Sequence, residues 1–390
     1  MKKLMSLLLF FVLYLALPAV NAIEEVVLEV NSGIPVQDTS ANAKQANTNQ
    51  EKTLYEKIQD IKAREINDTS KTYYLFDEIL TKKFDNSIIE SMRLFGYYRG
   101  NFQMNFYPTD NDLEYDYNDI DTGVTGKFRG GKAFYEARLR FTPQDNYNFL
   151  QFLPSNMYVA TTAIPNHTII VGNTRTPTGV EGSKSSTILP FVARSQISRN
   201  FGNTRKVGVR VKGDYSLIEY DLGGYSSDTY FRKFMPGAEF SGWMTLKPLG
   251  KTGGKYGDLK IGSGLTAGQN DIDYCVLGAY ASYEYKKFFA NFEWGKADGY
   301  NGAKTITSNK AEGFYTTLGY KITPKIQLVS RYDQYTPNLD NSNDIRREYF
   351  AGVNYYMKGQ ALKLMLNYVF CQNDISEDSH RLLLGTQILL

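Results

Sequence analysis

From Leu94 to Leu390 the chain alternates between apolar and polar side chains, and it holds no apolar run long enough for a spanning helix. In the first run Leu94, Gly96, Tyr98, Phe102, Met104 and Phe106 share one face, and Arg99, Asn101, Gln103 and Asn105 the other. Tyr135, Ala137, Leu139 and Phe141 then oppose Glu136, Arg138 and Arg140, and Val207, Val209 and Val211 alternate with Lys206, Arg210 and Lys212. Phe288, Ala290, Phe292 and Trp294 alternate with Asn291 and Glu293. Leu362, Leu364, Leu366, Tyr368 and Phe370 alternate with Lys363, Met365 and Asn367. Leu382, Leu384, Thr386, Ile388 and Leu390 close the chain on one face. Similar segments lie near 156–164, 167–174, 215–224, 238–247, 258–267, 273–285, 312–322, 324–335 and 347–357. Together they make roughly fifteen strands, each near the ~10 residues that cross a bilayer at a tilt. The expected fold class is all-β, a transmembrane antiparallel β-barrel.

A soluble β-sandwich also produces period-two strands. Two features weigh against it. Large aromatics gather near the strand ends of the apolar faces, as in membrane girdles, and the opposite faces carry charges and amides strand after strand, as a wet lumen requires. Composition agrees, with 30 Tyr, 23 Phe and 33 Gly against 12 Pro. A mean hydropathy of −0.39 says little, because alternating strands average to a polar value. The net charge of +3 is too small to argue for a nucleic-acid partner.

Met1-Lys2-Lys3, the apolar run Leu4 to Leu17 and the small residues around Val20-Asn21-Ala22 predict a cleavable signal peptide over 1–22. Residues 23–50 read as a flexible spacer with nothing to bury. Leu54, Ile58, Ile61 and Ile66 recur at roughly helical spacing, and Leu75, Ile79, Leu80, Ile88 and Ile89 suggest a second helix over 75–92. Residues 51–93 are therefore expected to form a periplasmic helical segment, with a coiled coil as one form, and 94–390 the barrel. The junctions at 321–325 and 357–360 look short and the one at 338–344 long, which predicts alternating short turns and long loops.

The stretch Val171-Gly172-Asn173-Thr174-Arg175-Thr176-Pro177-Thr178-Gly179-Val180-Glu181, followed by Phe191-Val192-Ala193-Arg194-Ser195 and Asn200 to Val209, resembles the phosphate-selective porins O and P. Gly313-Phe314-Tyr315 and Ser330-Arg331-Tyr332-Asp333 are also typical of that family. The resemblance spans 94–390 and is most specific over 171–210. It implies a barrel of 16 strands, assembled as a homotrimer in the outer membrane of a diderm bacterium, with a loop folded into the lumen at about 182–205. It also implies passive diffusion of small solutes, anions such as phosphate among them. Two residues depart from the family pattern: Ala193 stands where Glu is usual, and Leu390 where Phe or Trp usually ends the chain.

A pore needs a constriction and charges lining it rather than reacting groups. The period of two points Arg99, Arg138, Arg140, Lys206, Arg210 and Lys212 inward. The loop adds Lys184, Arg194, Arg199 and Arg205, with no acid between Glu181 and Asp214. Two roles stand for Arg194 and Arg199: lining the constriction, or pinning the loop to the wall. Glu136, Glu284, Glu293 and Asp333 also point inward, so the cations are expected to be paired off in part. The expected partners are small anionic or polar solutes and outer-membrane lipid.

No enzyme is expected. His167 follows a turn, and Asp378, Ser379 and His380 are consecutive, so strand geometry sends them to opposite faces. Nothing has zinc-ligand spacing, no cofactor is implied, and Gly250-Lys251-Thr252-Gly253-Gly254-Lys255 lacks the order of a phosphate loop. Cys275 and Cys371 fall on opposite faces, so no disulfide is expected. Three readings remain: a channel, a structural barrel that engages the cell wall through its N-terminal segment, and a soluble β protein that binds a ligand.

Overall fold

The computed structural model describes residues 53–108, 110–142, 151–229, 233, 235–303, 305–341 and 344–390. The signal peptide expected over 1–22 and the spacer expected over 23–50 lie outside the described residues. A short helix α1 (Leu54–Ala63) opens the described chain, closed at its N-terminus by a Thr53–Glu56 capping box. A three-residue strand β1 (Thr81–Lys83) follows. Sixteen strands then run in order: β2 (Ile89–Phe106), β3 (Asn111–Phe128), β4 (Ala133–Thr142), β5 (Gln151–Thr161), β6 (His167–Arg175), β7 (Arg205–Asp214), β8 (Ile218–Ser226), β9 (Ala238–Leu246), β10 (Asp258–Asn270), β11 (Ile272–Tyr285), β12 (Phe288–Asn301), β13 (Ile306–Lys321), β14 (Ile326–Thr336), β15 (Arg346–Tyr356), β16 (Leu362–Asn373) and β17 (Ser379–Leu389).

Each strand pairs antiparallel with the next, and β17 pairs with β2 from His380↔Phe106 to Leu389↔Tyr97. The sheet is thus a closed 16-strand barrel without a free edge. β2 runs past the end of β17, and β1 takes up the vacant side, with Thr81 opposite Arg93 and Lys83 opposite Ser91. The Leu94 N–H gives to the Leu80 carbonyl at 3.0 Å, so the pairing continues almost without a gap. Pro154 sits where the β4–β5 register slips, which suits a residue with no N–H to give.

The two faces follow the alternation in the sequence. Phe102, Met104, Val209, Leu265, Leu277, Phe292, Leu318 and Val353 all stand exposed on the outside. Arg99, Lys206, Arg331, Asn354, Lys363, Asn367 and Gln387 are buried inside. An apolar exterior around a polar interior is the reverse of a soluble protein and fits a lipid surround.

Three expectations need correction. The helix expected over 75–92 does not form. Its apolar residues serve separate surfaces: Leu75 packs on the inner wall beside Tyr97, Ala361 and Leu389, the Leu80 carbonyl takes the Leu94 N–H, and Ile88 is 79% exposed. Helical spacing there did not mark a single helical face. For the same reason the barrel begins at Ile89 instead of 94. The junctions expected to be short at 321–325 and 357–360 and long at 338–344 do fall at opposite barrel ends, but the contrast does not hold throughout. The connection at 247–257 falls at the same barrel end as the tight turns (the turn end), while a single residue, Asp271, joins β10 to β11 at the other (the loop end). Among the connections between strands, 176–204 is the longest.

If the outer face meets lipid, Leu277→Arg should lower the unfolding free energy in lipid vesicles by about 2–4 kcal/mol. Urea titration followed by heat-modifiable gel mobility measures this, and an unchanged midpoint would contradict the assignment of faces.

Candidate functional site: the lumen and its inward loop

The excursion leaves β6 at Arg175 and rejoins β7 at Arg205, two residues directly opposed in the sheet. Its two short helices are α2 (Val180–Ser183) and α3 (Gln196–Phe201). Gly179 turns the chain into α2 with φ +73, and a Cβ there would lie 2.9 Å from Glu293 Oε1. Glu293 on β12 receives the Val180 and Glu181 N–H groups at 2.7 and 3.1 Å and the Tyr315 hydroxyl at 2.6 Å. The loop is also tied to itself. The Ser195 N–H donates to the Glu181 carboxylate at 2.8 Å, Arg194 donates to the carbonyls of Glu181 and Lys184, and the Ser195 hydroxyl caps α3. The residues that carried the family resemblance, Gly179, Glu181, Arg194 and Ser195, therefore shape the loop.

Two apolar contacts hold the loop against one side of the wall. Phe191 and Val192 pack on Val329, Phe350, Met365, Val369 and Leu383. Ile197 and Phe201 pack on Val276, Ala297, Ala311, Tyr315 and Tyr335. Burying one such side chain contributes about 1.5–3 kcal/mol. Polar groups fix the register. Arg99 donates to the carbonyls of Phe191 and Val192 at 2.8 and 2.9 Å, the Val192 N–H donates to Asn367, and the Gln196 N–H donates to Asp333. Lys363, fully buried, donates to the carbonyls of Thr187 and Leu189 and to Gln360.

The ten cations singled out from the sequence all face the lumen or sit on the loop, but they do not form one bare ladder. Arg99, Arg194 and Arg199 are loop anchors. Arg199 donates to Glu348 at 2.8 Å; burial opposes its charge, but Glu348 and Asp333 outweigh burial and hold the guanidinium above its ordinary value. Arg138 pairs with Glu136 at 2.8 Å, Arg140 with Asp121 at 2.9 Å, Arg210 with Asp221 at 2.5 Å, and Lys206 with Glu239. Lys212 lies 3.6 Å from the same Asp221, and Arg205 donates to the neutral Asn156 at 2.9 Å. Of the inward acids, Glu136, Glu293 and Asp333 each hold a partner given above.

The sequence reading passed over Arg175, Arg331, Lys363 and the acids Asp121, Asp221, Glu239 and Glu348. Parity already placed several of them inside. What the sequence lacks is the register, which sets Asp121 opposite Arg140 and Lys212 opposite Asp221. Two opposed cations have neutral acceptors. Arg175 donates to Gly182 O and to Asn203 Oδ1, both neutral, and lies directly opposite Arg205 in the sheet. This pair marks the neck where the loop leaves and rejoins the wall. Towards the turn end, a cavity of about 780 Å³ lies between the loop and the wall of β10–β15, with Lys184, Phe191, Lys260, Glu293 and Tyr315 among its lining.

The His167 Nδ1–H donates to the Pro165 carbonyl in its turn, and His380 stacks on Phe370 and bonds the Tyr368 hydroxyl on the outer face. Cys275 and Cys371 are both free thiols. If Lys363 pins the loop, Lys363→Met should strip this donor from the Leu189 carbonyl and the Gln360 side-chain oxygen at about 1–3 kcal/mol each, while Thr187 keeps Gln387. Limited proteolysis should then cut within 176–204 faster than in the wild type, and an equal cutting rate would contradict the anchoring role.

Residues 256–388 match the family model of the phosphate-selective porins O and P. This match lies downstream of the 171–210 stretch that carried the resemblance by eye. None of the curated proteins matches the chain. Among solved structures, the chain resembles the outer-membrane channel DcaP of Acinetobacter baumannii at 12% identity and TM-score 0.57, over 79% of this chain and 99% of that one. It resembles an anion-selective porin from Comamonas acidovorans at 11% identity and TM-score 0.56, over 77% and 99%. Salmonella typhi OmpF in complex with daunomycin gives 10% identity and TM-score 0.59, over 79% and 100%. The resemblance to phosphate-selective porins O and P is therefore shown, by the family match over residues 256–388 and by a barrel with the fold of outer-membrane porins.

Proposed function

We propose that this barrel is a passive outer-membrane channel that favours small anions. The observation that carries the reading is the pair Arg175 and Arg205, directly opposed at the neck of the inward loop, whose side chains donate to the neutral Asn203 and Asn156. Positive charge at a narrow neck with low-dielectric walls raises the local concentration of anions and lowers their barrier to entry. Several other lumen cations face acids, among them Arg138, Arg210 and Lys206, so the neck contributes most to selectivity. Phosphate as a solute rests on the family resemblance, as does a homotrimer. The signal peptide over 1–22 and the turn end facing the periplasm complete the reading, with lipid covering the apolar exterior. An enzymatic role is not part of it, since transport down a gradient needs no reacting group.

The test is planar-bilayer recording of the refolded protein with a KCl gradient. Stable open steps with an anion-signed reversal potential are expected. Arg205→Glu should move that potential towards the cation side, and Arg199→Gln should move it less, because Arg199 already faces Glu348. A cation-signed potential in the wild type would remove the anion preference, and absence of steps from an inserted barrel would favour a structural role.

A further inference from the structure

The segment between α1 and β1 lies along the barrel's inner wall, although its sequence reads as part of a periplasmic helical segment. Lys358 in the β15–β16 turn donates to the Lys62 carbonyl at 2.7 Å and to that of Arg64 at 2.5 Å, and Gly359 of the same turn is approached so closely that a Cβ would meet Ile66 Cγ2 at 2.8 Å. Asp68 then folds the chain back on itself by accepting the N–H and hydroxyl of Ser70. Further on, Tyr73, Tyr74 and Leu75 cover Tyr97, Ala361 and Leu389 on the inner wall, and the Leu75 N–H gives to the Leu389 carbonyl at 2.9 Å. Arg93 lies over the Tyr74 ring at 4.4 Å. Residues 66–75 thus form a strap held at both ends along the inside of the mouth at the turn end.

The strap is joined to the inward loop by buried polar groups. Gln360 donates to the Thr69 carbonyl at 2.7 Å and accepts from Lys363 at 2.8 Å, while its own carbonyl accepts from Gln387 at 2.6 Å. Lys363 and Gln387 both donate to the Thr187 carbonyl of the loop, at 3.1 and 3.0 Å. Thr72 and Thr187 approach directly, hydroxyl to hydroxyl, at 3.5 Å. Thr69, Thr187, Gln360, Lys363 and Gln387 are all buried, so solvent does not compete for these bonds. On its free side the strap borders the same 780 Å³ cavity as the loop, through Thr69 and the exposed Ser70.

From this arrangement we propose that residues 66–75 are a second pore-lining element, which narrows the mouth at the turn end and sets its width together with the loop. The proposal rests on the channel reading. It assigns to the strap a part of the permeation path that the loop and the barrel wall do not supply.

Ser70→Cys, in a background carrying Cys275→Ala and Cys371→Ala, tests it by bilayer recording before and after a bulky methanethiosulfonate reagent is added on each side. Modification should reduce the single-channel current, and dithiothreitol should restore it. Thr162→Cys in the β5–β6 turn, at the same end of the barrel but away from the cavity, should be modified without loss of current. Unchanged current in modified Ser70→Cys, with thiol labelling confirmed by mass, would overturn the strap while leaving the channel intact. An equal loss in Thr162→Cys would overturn it too, and absence of current before modification would overturn the channel reading and the strap with it.

Discussion

A bilayer offers no hydrogen bonds, so every backbone N–H and C=O that crosses it must find its partner within the sheet. The pairing of β17 with β2 meets that demand, and the rest of the molecule depends on it. Once the ring closes, side chains of one parity must face lipid and those of the other must face the interior. The interior of sixteen strands is too wide for wall side chains to fill. The chain uses the space by folding 176–204 inward and by laying the strap along the mouth. β1 extends the same logic to the part of β2 that β17 does not reach.

The inward loop divides the lumen into two unequal sides. Towards β11–β17 and β2 it is bound by apolar packing, by Arg99 and Lys363 on its carbonyls and by Asp333 on its backbone N–H. These bonds are buried and directional, which gives the loop one position instead of many. Towards β3–β9 the wall carries charges paired strand to strand, such as Arg140 with Asp121 and Arg210 with Asp221. On the channel reading, solutes pass a wall where several cations and acids are paired, and then the opposed Arg175 and Arg205 at the neck. Such a lumen discriminates gently, in keeping with diffusion.

The fold was legible because its period is two. One parity rule told Val209 from Arg210 and Phe292 from Glu293, and the structure exposes the first of each pair and buries the second. The N-terminal segment was misread because Leu75, Leu80 and Ile88 share no helical face: Leu75 packs on the inner wall, Leu80 lies next to β1 and Ile88 is exposed. The cations were found but their roles were not. Arg99 and Arg140 look alike in sequence, each inward on a strand, yet one grips the loop and the other an acid on the next strand. Only the register separates them, and a single sequence does not carry register. Lys363 was counted as one more inward polar residue, while in the structure it joins wall and loop and, through Gln360, reaches the strap.

The central claim is that the closed barrel still leaves a continuous aqueous path past the loop and the strap. Liposome swelling tests it most directly, with the full-length mature protein in vesicles and uncharged solutes graded by size. The account predicts rapid entry of the smallest solutes and a steep cut-off as size grows, because loop and strap narrow a lumen that the wall alone would leave wide. Exclusion of every solute by a correctly folded, inserted barrel would mean the loop and strap seal it, and would contradict the account.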